Sequence, residues 1–464
     1  MKGHIFSMSC RISNTNRNLA AAVALAVTTS VSAQQHVNGE GTGQVLLFPF
    51  YSVVSDANTY IHITNNTGES KAVKIRFLES RNSEVVLEFN VYLGPNDVFP
   101  VGIDEYQGGA SLITTDSTCT VPELGTANGA YSGTQTELFD GSVLRRQPFV
   151  PYQYDDEKGS SGIGRTLIGH AEVIEMGVVD DSIDVSKCDE INTLWTSGKW
   201  TTDTSDNVTA PTGGLSGDSI FINPSKAFSM SLGATMIDGW AKPATNYHTG
   251  TGTLQPTLDK GVSKATIFDG DDYVTVDYSK QANGGALAVS AALATQSINN
   301  EVQVEAAIAA ETDWVATFPT KRFFVNGTTA SAPFTKAYDS TKADPTTCET
   351  VTLTRYDRNS NSTTGTGTFV PDSTGVDGEL CDSISILSFH QNSALGVTGS
   401  TSVAFPYSNG AAKAAMSQTL PADDNGVVVN GLPVIGFAGT RIVNGAMSYG
   451  YAQAHKTLTI TSGS

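Results

Sequence analysis

Two neighbouring segments of alternating apolar and mainly polar positions, 71–78 and 84–93, constrain the fold of this chain more than any other feature. Their apolar members are Val73, Ile75, Phe77, Val85, Leu87, Phe89, Val91 and Leu93. A period of two is that of a β-strand, whose side chains point alternately to opposite faces of a sheet. The pattern predicts an antiparallel hairpin with one buried face and one face in water.

The polar face of this predicted hairpin carries Lys74 and Arg76 on one strand and Glu84 and Glu88 on the other. We expect these opposite charges to pair across the strands, each pair contributing roughly 0.2–1 kcal/mol. The pattern indicates a structural role for the hairpin.

Short strand-like segments separated by turns rich in Gly, Asn, Ser and Thr continue along the chain. This series predicts a mainly β protein made of antiparallel β-sandwich modules with a few short helices. We expect one helix in residues 188–200, beginning near Asp189. The alanine-rich residues 286–293 and 302–310 predict two more.

Residues 1–33 have the pattern of a cleavable signal peptide. Lys2, Arg11 and Arg17 precede an apolar run at 19–27, and the segment ends in small residues at Ala33. The run is shorter than the about 20 residues that span a bilayer, although an uncleaved anchor or a buried helix is the alternative. We predict export to the periplasm, the cell surface or the extracellular medium, with no transmembrane segment in the mature chain.

Cleavage would leave 431 of the 464 residues (464 minus 33), more than one hydrophobic core usually supports. The polar stretch 201–217 is the best candidate boundary. We therefore predict a β-sandwich-like domain over residues 34–215. A second β-rich domain is expected over residues 216–464, with a short helical insertion near 286–310.

The chain has a net charge of −19, which becomes −22 when the three basic residues of segment 1–33 are removed (−19 minus 3). Nucleic-acid binding needs basic patches that release counterions, so this composition argues against a nucleic-acid partner. Components of the cell envelope or of an extracellular matrix are the expected partners.

Four cysteines follow the predicted signal peptide: Cys119, Cys188, Cys348 and Cys381. An even number in an exported chain favours disulfides. Of the three possible pairings, Cys119–Cys188 and Cys348–Cys381 close the shorter loops and are the prediction. A metal site would need closely spaced cysteines, and none are closely spaced here.

Five segments together resemble a family of secreted proteobacterial proteins without an assigned function. They are GQVLLFPFYSV, KAVKIRFLESRNSEVVLEFNVYL, GHAEVIEMG, DWVATFPTKRFFV and GLPVIGFAGTRIVNG, and they extend from position 43 to position 445. The resemblance implies a cell-surface or extracellular location. It supplies no catalytic residues.

Several residues are weak candidates for a functional site. His170 and Glu172 share one face of a predicted strand and could form half of an acid–base or metal site; a polar pair at a sheet edge is the preferred interpretation. Asp269, Asp271 and Asp272, and the acidic residues 155–157, offer the oxygen ligands that Ca²⁺ prefers. Neither acidic cluster matches an EF-hand loop, so solvated turns are preferred and no cofactor is predicted.

The four tryptophans could line a carbohydrate-binding platform, although aromatic residues more often belong to a core. They are Trp195, Trp200, Trp240 and Trp314.

The sequence favours a non-enzymatic, exported structural or binding protein, because no catalytic motif accompanies the export signal. A secreted polymer-degrading hydrolase or lyase is the second hypothesis, since a retaining glycosidase needs only two carboxylates about 5–5.5 Å apart. A Ca²⁺-dependent binding module is the third.

Overall fold

The computed structural model describes residues 34–126, 132–151, 162–270, 272–339, 345–359, 361–364, 378–445 and 447–462. The predicted signal peptide, the acidic residues 155–157 and Asp271 lie outside these ranges. Within them the protein is mainly β and its sheets are antiparallel except for the short parallel pairing of residues 387–388 with 401–402, which confirms the predicted fold class.

The strands of the first half are β1 (His36–Val37), β2 (Val45–Ser52), β3 (Asn58–Asn65), β4 (Ser70–Glu79), β5 (Val85–Leu93), β6 (Val98–Tyr106), β7 (Gly109–Thr114), β8 (Cys119–Val121), β9 (Thr134–Glu137), β10 (Val143–Pro148), β11 (Ile168–Val179), β12 (Val208–Thr209), β13 (Leu215–Asn223), β14 (Phe228–Gly233) and β15 (Thr235–Asp238). The described α-helices are α1 (Cys188–Thr196) and α2 (Gly284–Leu293).

The strands of the second half are β16 (Lys264–Phe268), β17 (Tyr273–Asp277), β18 (Ala294–Thr295), β19 (Ser297–Gln303), β20 (Glu311–Thr317), β21 (Val325–Asn326), β22 (Thr329–Ala330), β23 (Cys348–Asp357), β24 (Ser362–Thr364), β25 (Glu379–Cys381), β26 (Ile384–Ser388), β27 (Thr401–Ser402), β28 (Asn409–Met416), β29 (Val428–Asn430), β30 (Leu432–Pro433), β31 (Ile435–Asn444), β32 (Met447–Ala454), β33 (Lys456–Leu458) and β34 (Ile460–Ser462). Short 3-10 helices occupy Val54–Asp56, Ile163–Leu167, Lys199–Thr201, Leu258–Lys260, Ala306–Ile308 and Lys321–Phe323.

Two facing sheets form the first sandwich. An eight-stranded sheet has the order β1-β15-β2-β11-β4-β5-β8, with β12 on β11, and a seven-stranded sheet has the order β14-β13-β3-β6-β7-β10-β9. The core between them includes Phe48, Ile63, Ile75 and Phe99, all of which are buried. The predicted hairpin is β4–β5, which confirms that the two alternating segments pair as antiparallel strands.

The second sandwich is built in the same way. A six-stranded sheet, β24-β23-β28-β19-β33 with β25 on β23, faces a five-stranded sheet, β27-β26-β20-β31-β32. Their shared core includes Ile298, Trp314 and Leu353 and takes in α2.

The two sandwiches share apolar and polar contacts. Phe50, Phe221, Val315 and Phe437 belong to one buried cluster that draws on both halves of the chain. The seven-stranded sheet extends past the predicted boundary at 215, because β13 begins at Leu215 and pairs with β3. The division into domains at this position stays a prediction.

The helix expectations have mixed outcomes. Helices α1 and α2 lie where the sequence predicted them, but residues 302–310 are not an α-helix. They contain the end of β19 and the short 3-10 helix Ala306–Ile308. Ile298, Asn300 and Val302 are buried at every second position, so the period-two burial of the sheet overrides the helix propensity of the neighbouring alanines. No helix in the described ranges meets the length and hydropathy needed to cross a membrane.

Candidate functional site

The polar face of the β4–β5 hairpin is buried, so the expectation that this face lies in water is wrong. Lys74, Arg76 and Glu88 are all at most 9% exposed. The chain around residues 249–256 covers them: Nζ of Lys74 donates to the carbonyl oxygen of Gly250 at 3.3 Å, and Nη1 of Arg76 donates to that of Pro256. These contacts are remote in sequence, since they join positions 176 and 180 apart.

Lys74, Arg76 and Glu88 form a buried ionic triad. Glu88 accepts from Lys74 Nζ at 3.1 Å and from Arg76 Nε at 2.7 Å. Burial lowers the pKa of Lys74 to about 8, against the opposing attraction of Glu88. The predicted partner Glu84 does not belong to the triad, since Lys74 lies opposite Asn90 in the register. The three charges pair with one another inside the fold, while Nη2 of Arg76 is buried without a hydrogen bond to a described residue.

His170 and Glu172 also have separate structural partners. Ring atom Nε2 of His170 lies 2.9 Å from Oγ of Ser83, and burial lowers the pKa of His170 to about 3. Glu172 accepts two hydrogen bonds, of 2.8 and 3.0 Å, from Nη2 of Arg322 in the second half. Glu172 therefore joins the two halves of the chain, and His170 is a neutral core histidine at pH 7.

Both predicted disulfides are present. Cys119–Cys188 links β8 to the start of α1, and Cys348–Cys381 joins residues that lie directly opposite each other in β23 and β25. Among the described residues, one set of potential metal ligands is close enough to share an ion: Cys348, Glu379 and Cys381. Its two sulfur atoms are bonded to each other, so they are not the thiolates that a metal needs.

In the acidic turn between β16 and β17, the carboxylate of Asp269 accepts hydrogen bonds from neighbouring residues. Asp269 accepts from the backbone N–H of Asp272 at 3.2 Å and from the hydroxyl of Thr461 at 2.8 Å. These hydrogen bonds give Asp269 a role in holding the turn. The weak calcium candidate Asp271 lies outside the described ranges, so calcium binding by Asp269, Asp271 and Asp272 stays a hypothesis.

The tryptophans lie in the interior rather than on an exposed platform. Trp200, Trp240 and Trp314 are at most 1% exposed, and Trp195 is half-buried. Trp195 donates from Nε1 to the hydroxyl of Tyr92 at 2.6 Å. This arrangement supports the core interpretation of the tryptophans.

A polar cavity of about 460 Å³ lies where the two sandwiches meet. We call it the junction pocket and define it by its charged lining residues: Glu79 at the end of β4, Arg81 after it, Arg165 before β11, and Asp382 after β25. Its walls come from both halves of the chain. Backbone hydrogen bonds fix this junction: the N–H groups of Ser383 and Ile384 donate to the carbonyl oxygen of Ser80 at 3.0 and 2.9 Å.

Glu79 has a structural role in the pocket. Its carboxylate accepts from the backbone N–H groups of Arg81, Asn82 and Glu84, at 2.8 to 3.1 Å. Arg165 adds an ion pair with an N–O distance of 3.1 Å. These bonds hold the turn between β4 and β5 and leave Glu79 poorly suited to proton transfer.

The carboxylate of Asp382 accepts fewer hydrogen bonds than that of Glu79. Oδ1 accepts from the backbone N–H of Thr347 at 3.2 Å, and the structure shows no hydrogen bond from a described residue to Oδ2. Burial raises the pKa of Asp382 to about 6, although the positive charges of Lys321 and Arg81 oppose this rise. Lys321 Nζ donates to the backbone carbonyl of Asp382 at 2.9 Å. The pocket therefore presents an acidic group that is ionised at neutral pH.

Sequence reasoning missed the junction pocket. Glu79 and Asp382 are separated by 303 positions (382 minus 79), and neither belongs to a recognisable motif. The available signal was indirect: Asp382 follows a disulfide cysteine, and Glu79 begins the turn of the clearest hairpin. Comparisons of the chain with models of protein families, with curated proteins and with solved structures give no match.

Proposed function

We propose that this chain is an exported, non-enzymatic binding protein that holds a small polar ligand in the junction pocket. The observation that carries the proposal is the position of Asp382, an acidic side chain inside a polar cavity between two sandwiches. A volume of about 460 Å³ lies within the usual range of roughly 300–1,000 Å³ for small-molecule sites.

The sequence and the disulfides support the export part of the proposal. Residues 1–33 have the order of a signal peptide, and stable disulfides are typical of oxidising compartments outside the cytoplasm. The periplasm, the cell surface and the extracellular medium are all consistent with this chemistry.

The charges of the pocket favour a small zwitterion, such as a free amino acid. Arg81 and Arg165 offset the negative charges of Glu79 and Asp382, so the lining charges nearly cancel. A ligand with both an ammonium and a carboxylate group matches such a lining. We expect the ammonium group of the ligand to bind Asp382, because this carboxylate accepts fewer hydrogen bonds from the described residues than that of Glu79 does.

The hydrogen bonds of Glu79 favour binding over catalysis. A hydrolase with two carboxylates needs one of them to donate or accept a proton during the reaction. Glu79 already accepts from three backbone N–H groups and pairs with Arg165.

Isothermal titration calorimetry of the mature protein against a panel of free amino acids tests the proposal. We expect measurable binding of at least one amino acid at pH 7.5. Asp382→Asn should weaken that binding roughly 10- to 100-fold, since a hydrogen bond to a charged group contributes about 1.5–3 kcal/mol. Glu137→Gln, on the exposed strand β9, is the matched control and should bind as the wild type does.

The pH dependence gives an independent check. Because the pKa of Asp382 is raised to about 6, its carboxylate is charged above pH 6 and becomes neutral below it. The affinity for an amino acid should therefore fall as the pH drops through 6 in the wild type and stay nearly constant in Asp382→Asn. No binding by any panel member, or equal binding by the two proteins, would refute the assignment of the ligand to this pocket.

A further inference from the structure

The first residues after the predicted cleavage site are built into the fold. The backbone N–H of Gln35 donates to the carbonyl oxygen of Lys264 at 3.0 Å, and the N–H of Thr266 donates to that of Gln35 at 2.9 Å. The buried side chain of Gln35 also donates to the carbonyl oxygen of Val262 at 2.9 Å. Cleavage after Ala33 would therefore leave an N-terminus that is fixed beside β16 from its second residue onward.

The side-chain amide of Gln34 is held by its oxygen. Oε1 accepts from the hydroxyl of Thr266 at 2.6 Å and from that of Thr275 at 3.2 Å. The two threonines lie directly opposite each other in β16 and β17. Nε2 of Gln34 makes no hydrogen bond with a residue that the structure describes.

We propose that Gln34 becomes the mature N-terminus and cyclises to pyroglutamate, whose lactam oxygen is bound by Thr266 and Thr275. This inference rests on the proposed export, since cyclisation needs the free α-amine that cleavage after Ala33 creates. The modification removes the positive charge of the N-terminus. It also removes the free amine that aminopeptidases recognise.

The reaction is an internal amide exchange with no oxidation or reduction. The α-amino nitrogen attacks Cδ, so that an N–Cδ bond forms while the Cδ–Nε2 bond breaks. Nε2 leaves as ammonia and takes up the proton that the α-amine loses. The departing nitrogen makes no described hydrogen bond, whereas the retained oxygen is the atom that both threonines hold.

The two hydroxyl groups also favour the reaction itself. Attack on Cδ places negative charge on Oε1 in the tetrahedral intermediate. Hydrogen-bond donors already directed at this oxygen stabilise such charge, as in an oxyanion hole. Thr266 and Thr275 are positioning residues in this proposal, and they are supplied by the hairpin that the N-terminal segment packs against.

Mass spectrometry of the N-terminal peptide of the secreted protein is the first test. We expect a peptide that begins at position 34 and is lighter than the encoded sequence by one ammonia. A peptide that begins at 34 with a free glutamine would overturn the cyclisation and leave export intact. A protein that still begins at Met1 would overturn the proposed export itself.

The second test measures the role of the threonines. Mature protein with a free Gln34 can be released from a fusion by a site-specific protease, and its cyclisation followed by mass over time. Thr266→Val/Thr275→Val should slow cyclisation about tenfold or more, while Thr266→Ser/Thr275→Ser retains both hydroxyls and should keep the wild-type rate. Matching near-ultraviolet circular dichroism spectra would show that all three proteins are folded. Equal rates in the valine variant and the wild type would refute the part assigned to the hydroxyls.

Discussion

The β4–β5 hairpin and strand β23 have the same alternating pattern but opposite surroundings. On the hairpin, the polar face carries charged residues such as Lys74 and Arg76, and it is buried. On β23, the polar face carries Thr350 and Thr352, and it is exposed. Alternation thus identifies the two faces of a strand, but it does not determine whether the polar face meets water or another part of the chain.

The polar face of the hairpin can be buried because its charged side chains have partners in the interior. A buried charge without a partner is costly, whereas Glu88 forms an ion pair with each of the two cations and backbone carbonyls accept hydrogen bonds from them. Thr350 and Thr352 on the exposed face of β23 need no such arrangement, since their side chains are open to solvent.

Among the substitutions that test this contrast, removal of Glu88 should reduce the stability of the protein most. Glu88→Ala removes the carboxylate that pairs with both Lys74 and Arg76 in the interior, so we expect the free energy of unfolding to fall by about 3–5 kcal/mol. Urea denaturation measures it. Glu301→Ala, at an exposed position of β19, is the control and should change stability by less than about 0.5 kcal/mol. A loss below about 1 kcal/mol for Glu88→Ala, as for an ion pair in solvent, would mean that water reaches the triad.

Removing the disulfide beside the hairpin should lower the free energy of unfolding somewhat more than removing the disulfide on β23. Helix α1 also covers the hairpin, since Trp195 donates to the hydroxyl of Tyr92 in β5. Cys119–Cys188 ties α1 to β8, beside the hairpin, and closes 69 residues, whereas Cys348–Cys381 closes 33. Replacing either pair by serines should cost about 2–4 kcal/mol, with about 0.7 kcal/mol more for the longer loop. Urea denaturation of both double variants checks the order. A greater loss for Cys348→Ser/Cys381→Ser would contradict it.

A substitution on the exposed face of β23 should have the smallest effect. Thr352→Val keeps the β-branched shape and removes one hydroxyl, so the free energy of unfolding should change by less than about 0.5 kcal/mol. Thermal unfolding followed by circular dichroism measures this change. A loss as large as that of a typical buried hydrogen bond, about 1 kcal/mol, would show that this face is also covered and would remove the contrast.

The sequence predicted the features that depend on neighbouring residues. The β4–β5 hairpin, helix α2 and both disulfide pairs follow from local periodicity, composition and loop length. It failed for residues 302–310, where burial in the sheet decided between two locally plausible structures. It also missed the covered face and the junction pocket, because these depend on contacts between distant positions, such as Lys74–Gly250, which are 176 positions apart.

The aromatic residues beside the hairpin make its cover visible to spectroscopy. Tyr92 stacks on Trp200 with ring centroids 5.5 Å apart, and Trp195 lies 5.4 Å from Trp200 at a tilt of 54°. Fixed packing of this kind produces near-ultraviolet circular dichroism, which is lost when side chains loosen even while the backbone keeps its secondary structure. Detachment of the cover would thus register as a change in these bands before the far-ultraviolet signal of the strands declines.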